Sequence, residues 1–490
     1  MLLGRTLIRQ LLTLTSIISI LTGCLNGNVQ WSRSSGSGNG SISRGSQGAA
    51  SDSEGGSGGS SGGGGNQGGS GGSGGLVVKK ITPSSGSWRG GYPVVVEGEQ
   101  FKVGSQVSIG GQLCADVSGN PEGTRITCTL PRQSPDSLSD ITVTNPLPTL
   151  ETFTLPGAFN AKIVGYTSLP GERKVVSFGL ENGTLKNFAD AYIAETDASP
   201  NDLIVHPLLP VMYMTVNIGA TNIKKDEIRP FSIDSAGALT PLPIQQVGKT
   251  TSGICLGPRH LYVIDQENPS TSTIYTFLLK ADGSLGIFTT ARADGGAISC
   301  VSAQGKFLYV LNAQSKSISY YKYENDIVQG SGTFNLGTTI QGPTMGLSPD
   351  GKFLILAGTD KVRTYTIDPE TGALSFHMVL TLAETLVKTH LVAKPGTDRF
   401  YVSYSNFSPD RFGIASFSID GSGVPNFLSN FDHNTEHPYR MFLSPKGDAL
   451  MTLFGVGEAL QVNGLNSENN VEVPIDSKAM NFPPMSLQLY

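Results

Sequence analysis

Six short apolar runs recur through the C-terminal two-thirds of the chain: Val211–Met214, His260–Val263, Phe307–Val310, Phe353–Leu356, Arg399–Val402 and Asp448–Met451. Their starts lie 49, 47, 46, 46 and 49 residues apart. Between them a second element recurs, an alternating strand that ends on an acidic or Gly turn. It appears at Val176–Phe178, Arg229–Asp234, Tyr275–Phe277, Ile318–Tyr321, Arg363–Asp368, Ala415–Asp420 and Leu460–Asn463. A repeat of about 45 residues holding four strands is a propeller blade. Seven copies of one element against six of the other predict a ring closed by a shared blade. Ala161 to Leu185 then supplies the outer strands and Met485–Tyr490 the innermost one. Such closure removes the sheet edges that invite aggregation. The sequence therefore predicts an all-β chain with a seven-bladed β-propeller over residues 161–490.

Residues 76–160 read as a separate, smaller unit. Short β-type runs at Tyr92–Val96, Gln106–Ile109, Arg125–Cys128 and Asp140–Thr144 alternate with Gly and Pro turns, the pattern of a small antiparallel sandwich. Ile81-Thr82-Pro83-Ser84-Ser85-Gly86, Gly90-Gly91, Val95, Gly98, Phe101, Val107, Gly110-Gly111, Cys114, Ile126–Cys128 and Val143–Asn145 follow in an order that resembles the IPT/TIG family. The resemblance implies an immunoglobulin-like domain that serves as a spacer or interaction module and carries no catalytic residue. Trp88, beside Arg89 at the first turn, reads as an edge residue covering the sandwich end.

The N-terminus predicts an address. Arg5 and Arg9 precede the apolar run Leu11–Leu21, the layout of a secretory signal peptide and too short for a comfortable spanning helix. Leu21-Thr22-Gly23-Cys24 resembles the lipobox of bacterial lipoproteins, which implies cleavage after Gly23 and diacylation of Cys24. Leu25, rather than Asp, follows the cysteine and resembles lipoproteins sent to an outer membrane. From Ser34 to Gly75 the chain is nearly all Ser and Gly, with Ile42 its one large apolar residue, so it lacks the means to form a core. It is expected to act as a tether with a root-mean-square reach of roughly 35 Å.

With Cys24 assigned to lipid, Cys114, Cys128, Cys255 and Cys300 remain, an even number in an oxidising compartment. Cys114 and Cys128 share the small domain, and a bridge between them closes a loop of about 15 residues, worth roughly 3 kcal/mol. Cys255 and Cys300 fall at similar points of consecutive repeats; a bridge between inner strands and two buried free thiols are both compatible with that spacing.

Acidic and basic residues are well mixed, with a formal net charge of −5, so no positive field exists to hold nucleic acid. No Gly-rich phosphate loop, nucleophile elbow or EF-hand loop is present, which disfavours NTP-using enzymes and transferases. His433 and His437 flank Glu436, yet nothing there is helical and no third ligand can be named, so neither metal nor other cofactor is expected.

Leu347–Phe353 and Leu443–Gly447, which lead into the inner hairpins, are similar to the lactonase-like propellers, including the 6-phosphogluconolactonase family and YVTN-type surface propellers. Ser-Pro-Asp-Gly is turn chemistry, so that likeness concerns the scaffold. Aligning the blades places Asp202, Gly253, Ile298, Thr344, His390 and Arg440 at one level of the inner strands. Asp202, His390 and Arg440 are the candidate channel-mouth site. The resemblance implies that such His and Arg polarise a lactone carbonyl or activate water, with His390 as base and Arg440 at the oxyanion. Gly253, Ile298 and Thr344 offer no acid, base or cation. The leading expectation is thus a non-enzymatic, monomeric outer-membrane lipoprotein that binds a protein or glycan; the alternative is a lactone hydrolase.

Overall fold

The computed structural model describes residues 75–490, apart from 220–224, 249, 269, 338–342, 384–386, 408–409, 434–436, 456–458 and 482. The expected signal peptide, the Cys24 anchor and the tether up to residue 74 lie outside the described residues.

The N-terminal sandwich packs two sheets. One runs in the order Val77–Thr82, Pro93–Glu99, Arg125–Thr129, Ala115–Gly119. The other orders Thr152–Leu169, Ser137–Thr144, Gln106–Ile109 and Gln112–Leu113. Period-two alternation buries Val94, Val96, Ile126, Ile141 and Val143 between them.

Thr152–Leu169 is one unbroken strand of 18 residues that serves both modules. Its first half pairs with Ser137–Thr144 of the sandwich. Its second half pairs with Lys174–Glu181 and with the C-terminal strand Ser486–Leu489 of the propeller. The sandwich and the propeller are therefore welded through a shared strand, and the boundary read at residue 160 falls inside it. A single apolar core crosses the junction, running from Val94 and Ile141 through Phe159 and Ile163 to Leu453, Leu460 and Leu487. Trp88 lies in this junction, 5% exposed, with the Arg132 guanidinium 4.3 Å from its ring centroid. Its backbone N–H donates to Lys162 at 3.0 Å. Arg89 donates to the carbonyl oxygens of His206 and of Leu489, the latter at 3.0 Å. On the same side Lys446 pairs with Asp136 of the sandwich at 3.1 Å.

The propeller has seven radial sheets. The first consists of Ala198–Val205, Val211–Ile218, Glu227–Ile233 and Leu239–Pro241, with Gln245–Gln246 at its outer end. The second to sixth open on the inner strands Thr251–Leu256, Ala297–Ala303, Thr344–Leu347, Val387–Ala393 and Pro438–Leu443. In the seventh, Ser486–Leu489 is innermost, followed outward by Thr152–Leu169, Lys174–Glu181 and Thr184–Ile193. The two ends of the propeller segment thus share this blade, whose outer strand reaches Ile193 rather than Leu185.

The recurring apolar runs are the second strands of the blades. Phe307–Asn312 and Ala449–Phe454 are buried at every position, because a neighbouring blade covers each face. A second repeated device ties blade to blade. Tyr166, Tyr213 and Tyr309 donate their hydroxyls to Gly237, Gly283 and Gly372 in the outer turn of the next blade, at 2.7, 3.0 and 2.8 Å. Tyr401 does the same to Asn469 at 2.8 Å, and Thr364 to Gly423 at 2.9 Å. All five acceptors sit at positive φ, which turns their carbonyls toward the preceding blade.

The disulfide pairing differs from the main expectation. Cys255 and Cys300 are bonded, joining the inner strands of the second and third blades with Cα atoms 6.0 Å apart. Cys114 and Cys128 are free. A hydrogen bond between the two side chains couples them, pushing the Cys114 thiol up and the Cys128 thiol down.

Candidate functional site

The inner strands bring Asp202 of the first blade and Arg440 of the sixth together across the seventh. Arg440 Nη1 lies 2.5 Å from Asp202 Oδ1, and Nη2 donates to Oδ2 at 3.4 Å. Between them lies Ser486 on the closing strand. Its hydroxyl donates to Asp202 Oδ1 at 2.8 Å, and Arg440 Nη1 donates to that hydroxyl at 3.3 Å. The same oxygen accepts the backbone N–H of Leu203 at 3.1 Å. One strand deeper, Ser168 accepts the N–H of Ser486 at 3.1 Å and donates to the carbonyl of Asn201 at 2.5 Å. The cluster therefore spans blades six, seven and one, where the two ends of the propeller segment meet.

His390 lies on the fifth blade beside this cluster, partly buried, its ring 5.9 Å from that of Phe442. Burial pulls its pKa down to about 4; Arg440 adds to the fall and Asp202 opposes it. The backbone N–H of Met441 donates to His390 Nδ1 at 3.3 Å. In the neutral ring, with Nδ1 accepting, the proton then resides on Nε2. The general-base role expected for His390 does not fit this geometry, because its free nitrogen is already protonated.

The three residues singled out from sequence do converge, but Arg440 and Asp202 face one another in a two-pronged ion pair. Ser486 was missed as a member, although its place in the predicted innermost strand could have found it. Gly253 and Thr344 are buried at their levels, and Ile298 is partly buried and apolar. Elsewhere, His433 is buried between Phe431 and Phe454 at ring distances of 4.9 and 5.0 Å. Among the described residues no group of three or more His, Cys, Asp or Glu side chains could hold a metal ion.

With this architecture in view, the IPT/TIG domain family matches residues 76–157. The family described as a seven-bladed β-propeller lactonase matches residues 215–379. The chain joins an IPT/TIG domain to a lactonase-type propeller. Solved structures similar to the lactonase-type propeller include the periplasmic gluconolactonase PpgL of Pseudomonas aeruginosa, with 16% identity, a TM-score of 0.57, and coverage of 67% of this chain and 99% of that one. A putative 6-phosphogluconolactonase of Bacteroides fragilis has 16% identity and a TM-score of 0.56, covering 67% of this chain and 98% of that one. One from Bacteroides uniformis has 17% identity and a TM-score of 0.56, with coverage of 67% and 99%. Among curated proteins none matches this chain. At these identities the likeness is one of fold.

Proposed function

We propose that this chain is a lipid-anchored protein of the bacterial envelope whose fused IPT/TIG and propeller modules bind a protein or glycan and catalyse nothing. The observation that carries the reading is the mutual saturation of the channel cluster. Arg440 is committed to Asp202 and Ser486, and His390 Nδ1 is occupied by Met441. An oxyanion site needs donors aimed at a developing charge rather than at a resident carboxylate. The unbroken strand Thr152–Leu169 suits a scaffold, since it presents both modules in one fixed relation. The test is turnover of a panel of sugar lactones by the full-length protein in detergent, beside a His390→Ala variant. Equal rates in both, no faster than spontaneous hydrolysis, are expected; turnover that falls with His390→Ala would overturn the reading.

A lactone hydrolase is the second reading, favoured by the lactonase match and by the meeting of Asp202, His390 and Arg440 in one channel. In that case His390 Nε2–H polarises the lactone carbonyl and Arg440 must exchange Asp202 for the substrate. The same assay then shows His390-dependent, saturable turnover.

A further inference from the structure

We propose that the end of the IPT/TIG domain farthest from the propeller is a membrane-contact tip, which seats on the bilayer holding the Cys24 anchor. This rests on the envelope-lipoprotein reading above. Four pieces of chain meet at that end. The first strand begins there, with Val77 opposite Glu99. The loop after Glu99 lies beside it, and Phe101 N–H donates to Gly123 of the 120–124 turn at 2.9 Å. The hairpin loop 145–151 completes the end, since Gln106 pairs with Thr144 and Thr144 with Thr152.

Asn145, fully buried, fastens the two long loops together. Its amide donates to Gln100 O at 2.9 Å, and its oxygen accepts from Lys102 N at 3.1 Å and Ser105 Oγ at 2.7 Å. Outside this polar hub the loops carry three large apolar side chains pointing to solvent: Val103 at 95% exposure, Leu147 at 77% and Leu150 at 61%. Leu150 is held at φ 44°, a conformation that costs a Leu free energy. Clustered exposed apolar side chains on rigid loops mark a contact surface.

The route of the chain selects the occupant. The described chain begins at Gly75–Leu76, at this same end, and about 50 residues of Ser/Gly-rich sequence separate that point from Cys24, so the connection to the anchor leaves the fold from the tip. Tethering supplies a millimolar effective concentration, so three apolar side chains suffice for a seat that a free domain could not hold. The propeller, at the other end of the shared strand, then points away from the lipid.

The test reconstitutes the full-length protein in phosphatidylethanolamine–phosphatidylglycerol vesicles at about one copy per vesicle and follows amide hydrogen exchange. Segments 100–105 and 145–151 are expected to exchange about tenfold more slowly on vesicles than in the Cys24→Ser protein free in solution, matching a tip seated about nine-tenths of the time. The equally exposed segment 112–118 should not change, and it also reports that the variants stay folded. A Val103→Ser/Leu147→Ser/Leu150→Ser protein should lose the slowing while still floating with the vesicles. Flotation without slowing at the tip overturns this proposal alone. Failure to float overturns the anchor reading and the tip with it. Slowing that appears only at many copies per vesicle assigns the surface to a second copy and likewise overturns it.

Discussion

Arg440 of the sixth blade grips Asp202 of the first at 2.5 Å, over the hydroxyl of Ser486 on the strand that closes the ring. Both charges are largely withdrawn from water, with 28% and 13% of their side chains exposed. The contact ties the C-terminal strand to the blades on either side of it, which makes it a clasp before it is anything else. Asp202→Asn and Arg440→Gln should each lower stability by about 1–3 kcal/mol, since either change removes one charge of a largely buried ion pair. The double variant should recover part of that loss, giving a coupling of about 1–2 kcal/mol in a double-mutant cycle. Additive losses measured by thermal unfolding would show that the two residues do not act as a pair.

Stability should fall as the pH drops from about 6.5 toward 4. Burial holds His390 and His433 at about 4 in the folded protein, below the 6.5 of an unperturbed histidine. Above pH 6.5 both states carry neutral rings and nothing changes. Below it the unfolded chain takes up protons that the folded chain refuses, which favours unfolding at up to about 3 kcal/mol per histidine. His433→Phe, placed between Phe431 and Phe454, should flatten part of this slope in denaturant titrations run from pH 7 to 4. An unchanged slope would mean that His433 does not titrate against folding.

Arg89→Ala should loosen the two modules. The substitution strips the carbonyls of His206 and Leu489 of a partner and removes the cation stacked 5.2 Å from the Tyr490 ring. A loss of about 2–3 kcal/mol is expected, since hydrogen bonds from charged groups are among the strong ones. Calorimetry should then resolve a transition of the sandwich separate from that of the propeller, where the parent protein gives one.

The thiol count follows from the pairing. Alkylation of the unfolded, unreduced protein should label Cys114 and Cys128 and spare Cys255 and Cys300, as peptide mass mapping will read. Replacing Cys255 and Cys300 with Ser opens a crosslink spanning 45 residues and should cost about 3–4 kcal/mol. Label on Cys255 in the unreduced protein would refute the bridge.

The sequence by itself determined the blade. Apolar runs such as Phe307–Val310 mark strands covered on both faces, and their spacing near 46 residues demands a repeating four-stranded unit, whatever the neighbours are. Ring closure was also legible, because the element count left the first and last segments one hairpin short. Tertiary structure decided what the polar residues do. Asp202, His390 and Arg440 lie far apart in sequence, and alignment of blades put them at one level without fixing their partners. Only the folded ring shows Ser486 entering between Asp202 and Arg440, and Met441 N–H occupying Nδ1 of His390, which turns an expected base into a donor. The same limit applies to the cysteines and to Trp88. Composition placed four thiols in an oxidising setting, but a bridge requires Cα atoms about 6 Å apart with converging side chains, a relation between strands that local pattern does not carry. Local pattern follows the neighbours along the chain, whereas pairing, protonation and burial depend on neighbours across it.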